Sequence, residues 1–192
     1  MEHKKMERIK AGLCGLVITL IFSGCATTAG NTPEAKRQSV INMRNETLSD
    51  LYNIRPGAKA MIAAAPGYAV FSNADIALFL ISIGGGHGVV SHKDGKLVFM
   101  KMGEVGIGLG LGIKDFRAVF IFHDKATLNK FINDGWEFGA HADAAAKAGD
   151  KGAAVGGEVL LDGITVYQLT ESGLALRATI KGTKYWKDDD LS

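Results

Sequence analysis

Cysteine is scarce: the 192 residues include only Cys14 and Cys25. Two cysteines are too few for a disulfide-built scaffold. Proline occurs three times, which excludes a proline-rich linker or recognition segment. Neither sign of charge dominates, with 22 Lys and Arg against 20 Asp and Glu. The densest basic set, Lys93, Lys96 and Lys101, has little aromatic interleaving, so the pattern of a nucleic-acid binder is missing. The N-terminal apolar run Ala11–Phe22 is twelve residues long, whereas a spanning helix needs about 20. Gly-x-Ser-x-Gly and His-Glu-x-x-His do not occur, and no Gly-Lys-Ser/Thr follows a glycine run. His87 and His92 sit five residues apart with no carboxylate pair beside them, short of the three or four ligands a zinc site needs. The sequence therefore implies neither a metal nor another cofactor. An envelope hydrolase would need folding to converge Glu104, Asp115, Glu158 and Asp162, and the expectation is a non-catalytic protein.

What is present begins with an address. Lys4, Lys5, Arg8 and Lys10 precede the apolar run, and Ser23 and Gly24 follow it. A positive start, an apolar middle and a small-residue end are the three parts of an export signal, here residues 1–24. The segment Ile21-Phe22-Ser23-Gly24-Cys25 resembles a bacterial lipobox. The resemblance implies that Cys25 becomes the first mature residue and carries the acyl chains. Ala26 after the cysteine implies an outer-membrane destination, with the domain facing the periplasm. Several acyl chains on one residue would make that attachment effectively permanent. Removing residues 1–24 takes away four basic and two acidic side chains, leaving the mature chain with 18 of each. The apparent basicity belongs to the signal, so attraction to anionic lipid must come from local patches.

The mature chain divides by pattern. Residues 25–34 are small and polar, a tether. Thr32-Pro33-Glu34 is a helix start, with a capping hydroxyl, proline at the first helical position and acid in the first turn. Val40, Ile41, Met43, Thr47, Leu48, Leu51 and Tyr52 recur at helical spacing, predicting an amphipathic helix over 35–54 that packs on its own domain or lies on a membrane surface. A short helix over Gly57 to Ala65 ends at Pro66. The period then changes, and strands are predicted at Tyr68–Phe71, Ile76–Ile83, His87–Ser91, Lys96–Met102, Val105–Ile113 and Arg117–Phe122. Lys93-Asp94-Gly95 and Asp162-Gly163 supply hairpin turns. Asp124 caps a helix carrying Leu128, Phe131 and Ile132. Trp136–Ala148 reads equally as strand or Ala-rich helix. Gly157–Leu161, Ile164–Thr170 and Leu174–Ile180 complete the strands, and Asp188-Asp189-Asp190 reads as a solvated acidic tail, 188–192. Helices first and strands after argue α+β with a strongly curved, mainly antiparallel, Gly-rich sheet, a partial barrel with one inserted helix.

Glycine is the excess that survives cleavage. Ten of the 29 residues from Gly84 to Gly112 are glycine, alternating strictly from 106 to 112. Leu111 stands where a dinucleotide loop would need glycine. Alternation leaves one strand face bare. A bare face allows close packing or strong bending of the strand, or a shallow apolar groove that accepts lipid.

The ordered set Gly67-Tyr68-Ala69-Val70-Phe71, Gly84-Gly85-Gly86-His87-Gly88-Val89-Val90, the Gly106–Gly112 run, Leu174-Ala175-Leu176-Arg177-Ala178-Thr179-Ile180 and Tyr185-Trp186 resembles the SYLF domain, over 55–187. The resemblance implies a lipid-binding, non-catalytic module, seen in bacteria on secreted lipoproteins. Membrane partners would be the acylated Cys25 and anionic phospholipid, with Lys36, Arg37, Arg44, Lys93, Lys96 and Lys101 as candidate phosphate contacts. A structural lipoprotein that binds an envelope protein and touches the membrane only through Cys25 is the other reading.

Overall fold

The computed structural model describes residues 30–137, 158–161, 163–170, 173–174 and 182–192. The export signal, Cys25, and all of 138–157 and 175–181 lie outside the described residues, and with them the readings placed there. Helix α1 runs Pro33–Ile54 and α2 Gly57–Ala64. Strand β1 is Gly67–His92 and β2 Leu97–Phe122; α3 follows at Lys125–Asp134. The remaining strands are β3 Trp136–Glu137, β4 Glu158–Leu161, β5 Ile164–Thr170, β6 Gly173–Leu174 and β7 Gly182–Lys187. The architecture is α+β, helices first, with an antiparallel sheet that does not close.

The predicted helix starts hold in detail. Thr32 Oγ1 accepts the Ala35 amide at 3.2 Å, and Asp124 Oδ1 accepts that of Thr127 at 2.8 Å. Each satisfies an amide that the first helical turn leaves without a partner. The Thr127 amide and hydroxyl also hold the Asp124 carboxyl below its ordinary range. Helix α1 buries Val40, Met43, Thr47, Leu48 and Leu51 against the sheet, so its apolar stripe belongs to its own domain. Thr47 is accommodated by donating its hydroxyl to the Met43 carbonyl at 2.8 Å. No helix among the described residues is long and apolar enough to cross a membrane.

The six short strands predicted between 68 and 122 are two strands of 26 residues each. They pair from Gly67↔Phe122 to Ser91↔Leu97, with a register irregularity between Phe79 and Ile81. Glycine breaks neither strand: Gly84, Gly85, Gly86 and Gly88 of β1 all keep ladder partners on β2. The turn is Lys93-Asp94-Gly95, with Gly95 at φ +90° and Asp94 Oδ1 accepting the Lys96 amide at 3.0 Å. On the far edge of β2, β5 pairs along 117–122 and β7 along 100–105. Strand β7 is absent from the sequence reading.

Strand β1 doubles back on itself. At strand rise, Ser72 and Gly86 would stand about 45 Å apart on a straight ribbon. Instead a Cβ placed on Gly86 would strike the Ser72 carbonyl, and one on Gly88 the Val70 carbonyl and the Phe71 ring. The strand ends also meet, since the Lys93 amide donates to the Pro66 carbonyl at 2.9 Å. The reversal spans residues 73–86 and the paired stretch of β2, which contains the Gly106–Gly112 run. This geometry supports the packing-and-bending reading at Gly86 and Gly88.

Doubling the hairpin creates an inside and an outside. Alternation sends Phe71, Met100, Met102, Ala118, Phe120 and Phe122 inward, where Leu128, Phe131 and Ile132 of α3 plug the core with Trp136 and Tyr185. The rings meet edge to face, Phe71–Phe120 at 5.8 Å and Phe71–Tyr185 at 4.7 Å between centroids. Burial, with the nearby Glu104 carboxylate, pushes the Tyr185 phenol far above its ordinary value. Across the fold, Asn73 Nδ2 donates to Glu104 Oε2 at 3.2 Å, joining the two halves of the hairpin. On the outside, α1 and α2 cover Val70, Val89, Phe99, Val119 and Ile121. Each such fully buried apolar side chain contributes about 1.5–3 kcal/mol.

Residues 188–192 are only partly solvated: Asp189, Asp190 and Ser192 are exposed, but Asp188 and Leu191 are buried. Asp188 is 5% exposed and Leu191 4%, the latter inside the outer core beneath α1. The Asp188 amide donates to the Phe99 carbonyl at 3.0 Å, and Arg37 Nε to the Leu191 carbonyl at 2.8 Å. A charge run reads as solvent-facing unless the apolar residue after it, here Leu191, finds a place in the core.

Candidate functional site

The six candidate cations fall into two groups at opposite ends of one stretch of α1. At the hairpin tip, Arg44 Nη1 donates to Ser91 Oγ at 3.1 Å, two residues from Lys93, and both Lys93 and Lys96 are exposed on the turn. Near the C-terminal turn, Lys101 Nζ sits 2.9 Å from Asp188 Oδ1 and 2.7 Å from Asp190 Oδ2. These carboxylates raise the Lys101 ammonium above its ordinary value, and Lys101 holds Asp190 down, helped by Lys36. Arg37 lies 3.6 Å from Glu34 and also holds the Leu191 carbonyl. Glu46 and Asp50 of α1 reach Arg117 at 3.7 and 3.6 Å. Most charges of α1 thus staple the helix to its own domain, and Lys101 is neutralised where it stands.

A different surface is left open. Beyond the N-terminal end of α1, the outer face of the sheet continues in three cross-strand rows that no helix among the described residues covers. Ile83 pairs with Val105, and Val105 with Gly182; Gly85 pairs with Gly103, and Gly103 with Lys184; His87 pairs with Lys101, and Lys101 with Trp186. These residues share one face because strand side chains alternate. Ile83 is 63% exposed, Val105 61% and Trp186 40%. Large apolar side chains on a strand normally point to a core, so three exposed together on one face form a patch that calls for an explanation.

Glycine again sets the local shape. A Cβ on Gly103 would stand 3.1 Å from Trp186 Cη2 and 3.4 Å from Cζ3, so the far edge of the indole reaches over this position. A Cβ on Gly85 would meet the Met102 carbonyl at 3.9 Å, an ordinary contact that leaves room for a small side chain. Exposed Lys184 flanks the patch. Half-buried His87 closes the side toward α1. Burial pushes its imidazole below the ordinary value, with Asp188 pulling the other way. The arrangement is amphipathic: an apolar ridge of Ile83 and Val105, the Trp186 indole, and Lys184 at the border.

Sequence reasoning missed Ile83, Val105, Lys184 and Trp186. The signal for the last two was available in Thr183-Lys184-Tyr185-Trp186, where buried and exposed residues alternate at strand period. Among the described residues, no three His, Cys, Asp or Glu side chains converge as a metal site. Glu104 faces the interior beside Asn73. The side chains of Asp115, Glu158 and Asp162 lie outside the described ones.

No family model matches the chain. A curated relative from Aeromonas veronii, named beta cell expansion factor A, is 36% identical over 161 residues, covering 84% of this chain and 60% of the relative. The chain therefore spans less than two thirds of the relative's length.

Proposed function

We propose that this chain is a lipid-anchored bacterial envelope protein of the outer membrane, whose SYLF-like domain binds phospholipid without catalysing a reaction. The observation that supports lipid contact by the domain is the uncovered outer face of Ile83, Val105 and Trp186. Trp is suited to the membrane–water boundary, because its ring is apolar and its N–H polar. Exposed Lys184 at the border favours an anionic surface, at about 1 kcal/mol for a cation near it. Phospholipid head groups and acyl boundary together match this mixture better than a small polar ligand does.

The test uses the chain from Ala26 onward and vesicles of phosphatidylethanolamine with phosphatidylglycerol at low salt. Co-sedimentation is expected, reduced about tenfold by Trp186→Ala, equivalent to about 1.4 kcal/mol. Failure of the parent chain to sediment would leave the alternative, a lipoprotein whose domain binds a protein partner. Fatty-acid labelling checks the anchor separately: labelling that persists unchanged in Cys25→Ala refutes it.

A further inference from the structure

We infer that the outer-face patch and the acylated Cys25 engage the same leaflet, so the domain lies down on the membrane that anchors it and does not reach across to another. This rests on the lipid-anchored reading above and adds the orientation. The direction of α1 carries the argument. Arg44 touches Ser91 near the hairpin tip, while Arg37, seven residues earlier, touches the Leu191 carbonyl beside the Lys101 pairs. The helix therefore runs from the C-terminal turn toward the tip. Its N-terminal end points back toward the rows of His87 and Gly85, where the uncovered face begins.

Six residues separate Cys25 from the cap Thr32. A chain of that length reaches at most about 25 Å. The anchor is thus held within that distance of the N-terminal end of α1. Tethering on this scale turns the second contact into an intramolecular one at roughly millimolar effective concentration, which favours the anchoring leaflet over a separate one. The apolar ridge then enters the boundary, with Lys184 at head-group level. Lys93 and Lys96 sit on the turn beside Arg44, about 17 Å along α1 from its first residue. Salt screens charges over about 8–10 Å, so these two add little.

The experiment uses the full acylated chain in phosphatidylethanolamine–phosphatidylglycerol vesicles, with tryptophan emission quenched by lipids brominated on their acyl chains. Quenching is expected when the brominated lipid is in the vesicle holding the anchor, and none when it is in protein-free vesicles added afterwards. The same-vesicle quenching should disappear in Trp186→Phe, which leaves only buried Trp136, and should persist in the Lys93→Ala, Lys96→Ala double variant. Quenching by added vesicles, or vesicle clustering seen by light scattering, overturns the orientation. Absence of quenching from either source in a chain that still labels at Cys25 overturns the patch as a membrane contact. Loss of Cys25 labelling overturns the lipid-anchored reading itself, and this inference with it.

Discussion

Gly85 and Gly86 are neighbours on β1 that face opposite ways, and the contrast between them separates the two sides of the sheet. Above Gly86 the Ser72 carbonyl occupies the place of a methyl group; above Gly85 the nearest atom is 3.9 Å away. Inside, glycine lets two halves of one strand touch. Outside, glycine leaves room, first for an indole over Gly103 and then for solvent. One residue type thus closes the fold on one face and keeps the other face open.

The sharpest way to break this comparison is to add side chains to each face. Gly88→Val drives a branched side chain into the Val70 carbonyl and the Phe71 ring, in backbone that cannot yield without opening the doubled hairpin. Overpacking of this kind should destabilise by about 3 kcal/mol or more. Gly85→Ala should change stability by less than about 0.5 kcal/mol. Urea midpoints of the two variants measure both. Equal losses would mean that the outer glycines are structural too, and that the open face is not free to serve a ligand.

Next in size is the boundary between covered and open outer face, held by the C-terminal turn. Leu191→Ala removes a buried side chain shared by α1 and the sheet, at an expected cost of about 2 kcal/mol. The midpoint in urea should fall while the inner aromatic core keeps its near-ultraviolet circular dichroism at low denaturant. Collapse of that signal along with the midpoint would show the inner and outer cores to be one cooperative unit.

The sequence carried the helices and the class of sheet because their signals are local. Thr32-Pro33-Glu34 and Asp124 state their caps within four residues, and the Leu128, Phe131, Ile132 spacing states its buried face. The doubling of β1 was only half legible. Alternating glycine announces a bare face, but contact between Gly86 and Ser72 joins residues that no local period links. The same limit hid the candidate site. A row such as His87–Lys101–Trp186 exists only after three strands are in register, and exposure of Ile83 and Val105 depends on where α1 begins to cover the sheet. The cations drew attention because charge is visible in a sequence, whereas the ion pairs that neutralise Lys101 come from a segment 87 residues away that reads as tail.

A smaller effect lies at His87, on the line where covered Val89 gives way to open Gly85. Burial holds this imidazole below its ordinary value of about 6.5, so the folded protein resists a proton that the unfolded chain accepts. The unfolded state then binds more protons, and stability rises with pH across the interval from the depressed value up to about 6.5. Stability is therefore complete above that interval and lost as pH falls through it. Urea midpoints at pH 7.5 and pH 5.5 should differ more in the parent chain than in His87→Gln. An identical acid loss in both would place the sensitivity elsewhere and leave the boundary of the patch indifferent to pH.

The smallest effect on stability should come from the open face itself, and its smallness is what gives it weight. Ile83→Thr keeps a β-branched side chain suited to a strand and removes apolar surface that is already mostly in water. Its urea midpoint should stay within about 0.5 kcal/mol of the parent. A residue retained for folding would cost more than that on replacement, and a residue retained for contact would cost nothing until a ligand is present. Vesicle retention of Ile83→Thr should accordingly fall while the midpoint holds. A fall in the midpoint with retention unchanged would return Ile83 to the core and reduce the patch to Trp186 and Lys184.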